Sequence, residues 1–206
     1  MTRGPAQEQP FTVLLVCTGN ICRSPLAERL GRALLDSDGR SGPWLVLRSA
    51  GTRAVVDSAM HPDSALVLQR LGGDPDGFRS TQLAPEIAAT ADLVLTMTRD
   101  HRREVLTVAP RLLKRTFTLR EAADLMDRVA DGIPATPGDE ATRARALVAA
   151  MADARALRAS GPDDDVPDPI GLSSSVHRRA GDLIADALRR ILGRLAPLPA
   201  AEATIA

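Results

Sequence analysis

Phe11-Thr-Val-Leu-Leu-Val16, followed at once by Cys17-Thr-Gly-Asn-Ile-Cys-Arg-Ser-Pro25, decides the fold. The first six residues form a nearly continuous apolar, β-branched run, the pattern of a strand buried on both faces of a parallel sheet. After the loop the period changes to 3.6: Leu26, Leu30, Ala33 and Leu34 share one face. Ser24 suits a helix cap, Pro25 suits the first helical position and Gly39 ends the segment. The chain opens as strand, loop, helix.

Outward from this unit the alternation repeats. Strands are expected at 44–47, 92–97 and 116–119, and a helix at 63–71 closed by Gly72 and Gly73. Further helices follow Arg99 and Arg120, and a long one spans about 175–195 with Ala180, Leu183, Ile184, Ala187, Leu188, Ile191 and Leu195 on one face. Alternating β and α predicts an α/β fold, three layers α/β/α around a four-stranded parallel sheet, with an anion-binding loop after the first strand. Such sheets bind ligands beyond the C-terminal ends of their strands, which places residues 17–24 in the crevice. Residues 11–196 read as a single domain. Breakers around Gly132, Pro134, Pro137 and Gly138, and again at Ser160-Gly-Pro-Asp-Asp-Asp165, delimit an inserted segment at about 127–165. Its inner helix carries Ala144, Leu147, Val148, Met151, Ala154 and Leu157 along one stripe and should dock on the domain. Residues 1–10 read as a disordered extension and 197–206 as a frayed tail.

Composition narrows the function. In 206 residues, 44% are apolar and 25% charged, ordinary for a folded soluble domain. Basic and acidic residues balance at 26 each, so no broad positive field exists for a nucleic acid or an anionic membrane surface. Lys114 is the single lysine, and arginine, the planar fork suited to oxyanions, supplies the rest. The N-terminal apolar run is far short of the roughly 20 residues that span a bilayer. With only Cys17 and Cys22, five positions apart beside a glycine, thiol chemistry in a reducing cytoplasm is expected rather than a disulfide scaffold.

The loop itself points to a phosphoryl group. Successive backbone N–H groups of residues 18–22 can turn inward, the helix N-terminus adds partial positive charge, and Arg23 can clamp two oxygens. The same surroundings favour a thiolate at Cys17. Gly19 allows a tight approach, Asn20 tolerates a left-handed backbone, and the Ser24 hydroxyl is placed to donate to the Cys17 sulfur. A thiolate beneath a phosphoryl group implies in-line displacement through a phosphocysteine, and a carboxyl elsewhere must protonate the leaving atom. Asp163, Asp164, Asp165 and Asp168 are candidates. Asp168 is preferred because Pro169 holds the preceding residue extended, and the other three read as a solvated acidic stretch. His61, His101 and His177 lack metal-ligand spacing, so no metal is expected.

Val16-Cys-Thr-Gly-Asn-Ile-Cys-Arg-Ser-Pro25, Ser49-Ala-Gly-Thr52 and Asp168-Pro169, in that order, resemble the low-molecular-weight protein-tyrosine phosphatase family over about residues 11–125 and 166–195. The resemblance implies Cys17 as nucleophile, Arg23 as phosphate ligand and Asp168 as general acid and then base. Thr18, Gly19, Asn20, Ile21, Cys22 and Ser24 complete the phosphate loop, with Asn20, Ser24 and Ser49 holding it. It also implies a reversible disulfide partner in Cys22, a phosphorylated protein as substrate, inorganic phosphate as product and no cofactor.

Two departures bear on the substrate. Where eukaryotic members place aromatic walls beside the ring, this chain has Val55 and Ile170, and it contains no Tyr. Residues 91–98, 117–121 and 168–171 resemble the bacterial branch that includes protein-arginine phosphatases, which typically carry Thr where this loop has Ile21. Phosphotyrosine is the leading expectation and phosphoarginine the main alternative. Arsenate reduction and a non-catalytic phosphate- or redox-sensing module stand behind them.

Overall fold

The computed structural model describes residues 9–133 and 140–197, so most of both expected loose ends lies outside the described residues. Four parallel strands, β1 (Phe11–Cys17), β2 (Leu45–Gly51), β3 (Leu93–Thr96) and β4 (Thr116–Thr118), lie in the order β2-β1-β3-β4. The helices are α1 (Arg23–Ser37), α2 (Pro62–Arg70), α3 (Pro85–Ala89), α4 (Arg99–Val108), α5 (Leu119–Val129), α6 (Glu140–Ala154) and α7 (Ser174–Leu195).

β1 is apolar apart from Thr12 because both its faces are covered. Phe11, Val13, Leu15 and Cys17 point into the larger core, shared with α1, α2, α5, α6 and α7. Leu14 and Val16 point into a smaller core with Ala88 of α3 and Val105 of α4. The three-layer architecture is the one the sequence predicts, and β1, central in the sheet, delivers Cys17 to the C-terminal edge.

Several boundaries differ. β2 runs on to Gly51, pairing Ala50 with Val16 and Gly51 with Cys17, so the Ser-Ala-Gly segment is strand rather than loop. β4 ends at Thr118 because that residue caps α5. Its hydroxyl accepts from the Glu121 amide (3.2 Å), and the Glu121 carboxylate accepts from the Thr118 amide (3.1 Å). The five-residue α3 is too short to leave a periodic signature.

α6 belongs to the main core: Ala141, Ala144, Leu147, Val148 and Met151 are buried there. Leu157, expected on the same stripe, is 82% exposed. The chain tightens into a 3₁₀ turn at Arg155–Leu157, which breaks the 3.6 period. Arg155 then lies over the Phe117 ring, 3.9 Å from its centroid, and donates to Glu121 Oε1 at 2.9 Å. The acidic run that follows is not uniformly solvated. Asp164 is buried against Arg158 (2.5 Å), and Asp165 accepts from the Arg99 amide at 2.8 Å.

Candidate active site

The loop between β1 and α1 is turned so that its carbonyls face outward. Those of Cys17, Thr18, Gly19 and Ile21 accept from the amides of Thr52 (2.9 Å), Arg53 (3.0 Å), Val55 (3.0 Å) and His61 (2.8 Å). Among the described residues, no amide of residues 18–22 donates to a carbonyl in these loop contacts, so the N–H groups are left for the interior of the cradle. Gly51 permits this approach, because a Cβ there would stand 2.5 Å from the Thr18 carbonyl oxygen.

Asn20 is buried with φ at 52°, the left-handed conformation expected of it. Its amide nitrogen donates to Ser24 Oγ (2.8 Å) and Ser49 Oγ (2.9 Å), and its oxygen accepts from the Thr81 amide (2.7 Å). Ser49 in turn donates to Glu28 Oε2 at 2.5 Å. Ser24 does not cap α1. The helix begins two residues earlier than expected, at Arg23, and Pro25 lies inside it rather than at its first position. The Ser24 hydroxyl lies instead 2.9 Å from Cys17 Sγ, with a longer contact of 3.4 Å to the Ala50 carbonyl. A chain of buried polar side chains from Glu28 to Ser24 thus ends on the sulfur.

Arg23 is 4% exposed. Its Nη1 donates to the Val166 carbonyl at 3.2 Å, and its Nη2 lies 2.7 Å from Asp168 Oδ2. Val166 is itself fixed by donating its amide to the Met97 carbonyl at the end of β3 (2.8 Å). Arg23 Nε is buried without a partner among the described residues, a donor available to an incoming oxyanion. Asp168 is 46% exposed, and its Oδ1 accepts from the Ile170 amide at 3.2 Å. The turn that presents it closes through the Leu172 amide on the Pro169 carbonyl (3.0 Å), with Gly171 at φ 69°. Val55 and Ile170 are about half exposed, and Ile21 is partly buried beside Gly19.

Cys22 is buried, and both cysteines are free thiols. Burial pushes the Cys22 thiol up to about 11, outweighing hydrogen bonding from Ser64 and the charge of Arg23. It therefore carries its proton at neutral pH.

Sequence reasoning missed His101, Thr81, Glu28 and Val166. His101, in the first turn of α4, is buried between Thr18 Oγ1 (2.8 Å from Nε2) and Thr98 Oγ1 (2.9 Å from Nδ1), tying the loop to α4. Burial and then Arg23 push it down to about 4, against the smaller opposing pull of Glu104, Asp168 and Asp100. The folded protein thus holds a neutral imidazole where the unfolded chain binds a proton below about 6.5. Between these values the unfolded state binds more protons, so stability rises with pH. A loss on the order of 3 kcal/mol is expected as pH falls from about 6.5 to 4. His177, also held below its ordinary value by burial, adds to the same slope. Urea unfolding of His101→Gln across this window should show a flatter profile than the parent. An unchanged slope would remove His101 as its source.

The sequence model described as low molecular weight phosphotyrosine protein phosphatase matches residues 12–135. The low molecular weight protein-tyrosine-phosphatase Etp of Escherichia coli (strain K12) is 35% identical over 112 residues, covering 54% of this chain and 71% of Etp. The protein-arginine-phosphatase of Geobacillus stearothermophilus is 28% identical over 186 residues, 90% of this chain and 97% of that protein. The crystal structure of a YwlE mutant from Bacillus subtilis superposes with a TM-score of 0.65 at 25% identity, covering 90% and 98% of the two chains. The family match and these relatives place the chain in the class of cysteine-dependent hydrolases. The chain belongs to the low molecular weight phosphotyrosine protein phosphatase family.

Among the described residues no helix is long and apolar enough to cross a membrane.

Proposed function

We propose that this chain hydrolyses phosphotyrosine in cytoplasmic phosphoproteins through a phosphocysteine on Cys17. The observation that carries this is the 2.7 Å pair of Arg23 and Asp168, a guanidinium and a carboxyl side by side at the end of the loop that begins at Cys17, whose sulfur lies 2.9 Å from the Ser24 hydroxyl. Phosphate oxygens enter the cradle of amides and take Arg23 away from Asp168. The Cys17 thiolate attacks phosphorus in line, the P–O bond breaks, and Asp168, which takes up a proton from solvent once Arg23 has turned to the phosphate, delivers it to the leaving phenolate oxygen. Water then attacks the S–P bond, Asp168 takes the proton from water, and phosphate leaves with the thiolate restored. Ser24 stabilises that thiolate by donating to it. No cofactor enters this scheme.

Ile21, Val55 and Ile170 form an apolar wall that receives an aryl ring by contact rather than by stacking, which forgoes about 0.5–1.5 kcal/mol per lost aromatic pair. One observation favours phosphoarginine as a second reading: the Geobacillus arginine phosphatase matches nearly the whole chain, whereas Etp matches about half of it. In that case Asp168 protonates nitrogen. The test is kcat/KM for phosphotyrosine and phosphoarginine peptides of matched sequence. A ratio well above one is expected, and Ile21→Thr should lower it by about tenfold or more, the scale set by removing methylenes from an apolar wall. A ratio well below one moves the chain to phosphoarginine.

A further inference from the structure

Cys22, His61 and His177 are distant in sequence, yet their ligand atoms all lie within 4.8 Å of one another. Cys22 precedes α1, His61 precedes α2, and His177 sits in the first turn of α7, so packing of these three helix starts assembles the group. The two imidazoles stack at 4.9 Å between centroids and 22° between planes. Asp63 Oδ2 lies 3.9 Å from both His61 Nδ1 and His177 Nε2.

An independent observation points to a missing ligand. The His177 side chain is 0% exposed, its Nδ1 lies 2.9 Å from Ser64 Oγ, and its Nε2 is buried with no partner in hydrogen-bond geometry among the described residues, the Pro169 backbone acting on the ring without closing such a bond. If Nδ1 donates to Ser64, Nε2 presents a lone pair to Cys22, His61 and Asp63, the arrangement in which an outer hydroxyl orients a metal-binding imidazole.

We propose that Cys22, His61, His177 and Asp63 bind a single divalent transition metal of the Zn²⁺ class, in a site separate from the Cys17 thiol. One sulfur, two imidazole nitrogens and one carboxylate oxygen make the mixed donor set that Zn²⁺ takes tetrahedrally. Bonds of about 2.0–2.3 Å give ligand separations of about 3.3–3.8 Å, so closing Cys22, His61 and His177 on an ion requires movements of about 1 Å, and Asp63, which lies outside that 4.8 Å group, must swing further to complete it. Three helix N-termini oppose a bare cation. Ionised Asp63 and a deprotonated Cys22 neutralise the two positive charges, and the Cys22 proton passes to solvent as the S–metal bond forms. Half-buried His61 and the more exposed Asp63 leave a path for the ion.

Titration of the reduced Cys17→Ser protein with Co²⁺ tests this, because the catalytic thiol is then absent and Cys22 is the one remaining sulfur ligand among the cysteines. One equivalent of Co²⁺ should bind with a sulfur-to-cobalt charge-transfer band and the intense visible bands of four-coordinate cobalt, and Zn²⁺ should displace it. Cys22→Ala should abolish the charge-transfer band. His177→Gln, or His61→Gln at the more accessible position if the former does not fold, should weaken binding by about tenfold or more. Absence of the bands in Cys17→Ser, their persistence in Cys22→Ala, or an affinity unchanged in the folded histidine variant would each overturn the proposal. Phosphatase turnover enters none of these readouts, so the outcome is separable from the proposed activity.

Discussion

Replacing Cys17 with serine is expected to abolish turnover of an aryl phosphate while leaving oxyanion binding intact. The site is built around a sulfur whose hydrogen-bond partner is the Ser24 hydroxyl at 2.9 Å, itself held by Asn20. That arrangement supports a sulfur nucleophile by hydrogen bonding and, among the described residues, places no base against it to take a proton from a serine hydroxyl. His101, the buried imidazole beside the loop, is spent on Thr18 and Thr98. An oxygen nucleophile would therefore have to attack while protonated. Turnover of p-nitrophenyl phosphate should fall by about 10⁴-fold or more, the scale seen when a nucleophile is taken from residues that act as a unit. The amide cradle and the Arg23 fork remain, so calorimetric affinity for tungstate should stay within about threefold, where about 0.7 kcal/mol separates the two. Turnover within tenfold of the parent would sink the phosphocysteine route; lost tungstate binding would instead show that the sulfur shapes the cradle.

The part of this site that was legible in the sequence is the part that is local. Residues 17–24 are contiguous, and a thiol, a glycine, an asparagine and an arginine between an apolar run and a helical period leave few folds to consider. Asp168 was legible for a similar reason, since Pro169 constrains the residue before it. Glu28, Thr81 and Val166 reach the site through packing, and nothing in their own neighbourhoods signals it. Ser24 satisfied two local descriptions, helix cap and thiol partner. The choice turned on the backbone at Cys22, at φ −116° and ψ −82°, which starts the helix early and swings the hydroxyl inward. Leu157 failed because a helical period was extended past the point where the chain tightens. Spacing alone assigns His61 and His177 no metal, and the docking of α2 on α7 that brings their rings to 4.9 Å leaves no signal in either neighbourhood.

Asp168→Ala should separate chemistry from binding. In the unliganded protein the Asp168 carboxylate holds Arg23 Nη2 at 2.7 Å, so each arriving phosphate competes with it for the guanidinium. Removing the carboxylate frees the clamp. The inhibition constant for inorganic phosphate should stay level or fall, although kcat drops by about 10²–10⁴-fold for loss of the general acid. The size of that drop should follow the leaving group. Phenolate, a strong base, depends on a proton delivered as the P–O bond breaks, whereas p-nitrophenolate departs more readily without one. The defect should therefore be several-fold larger with phenyl phosphate than with p-nitrophenyl phosphate. Asp168→Asn keeps the shape of the side chain and the contact with the Ile170 amide, and should show the same dependence, which distinguishes loss of a proton donor from collapse of the turn around Gly171. Equal defects for both esters would mean that Asp168 positions Arg23 and leaves proton transfer to another group. A fall in phosphate affinity would mean that the ion pair preorganises the clamp rather than competing with the ligand for it.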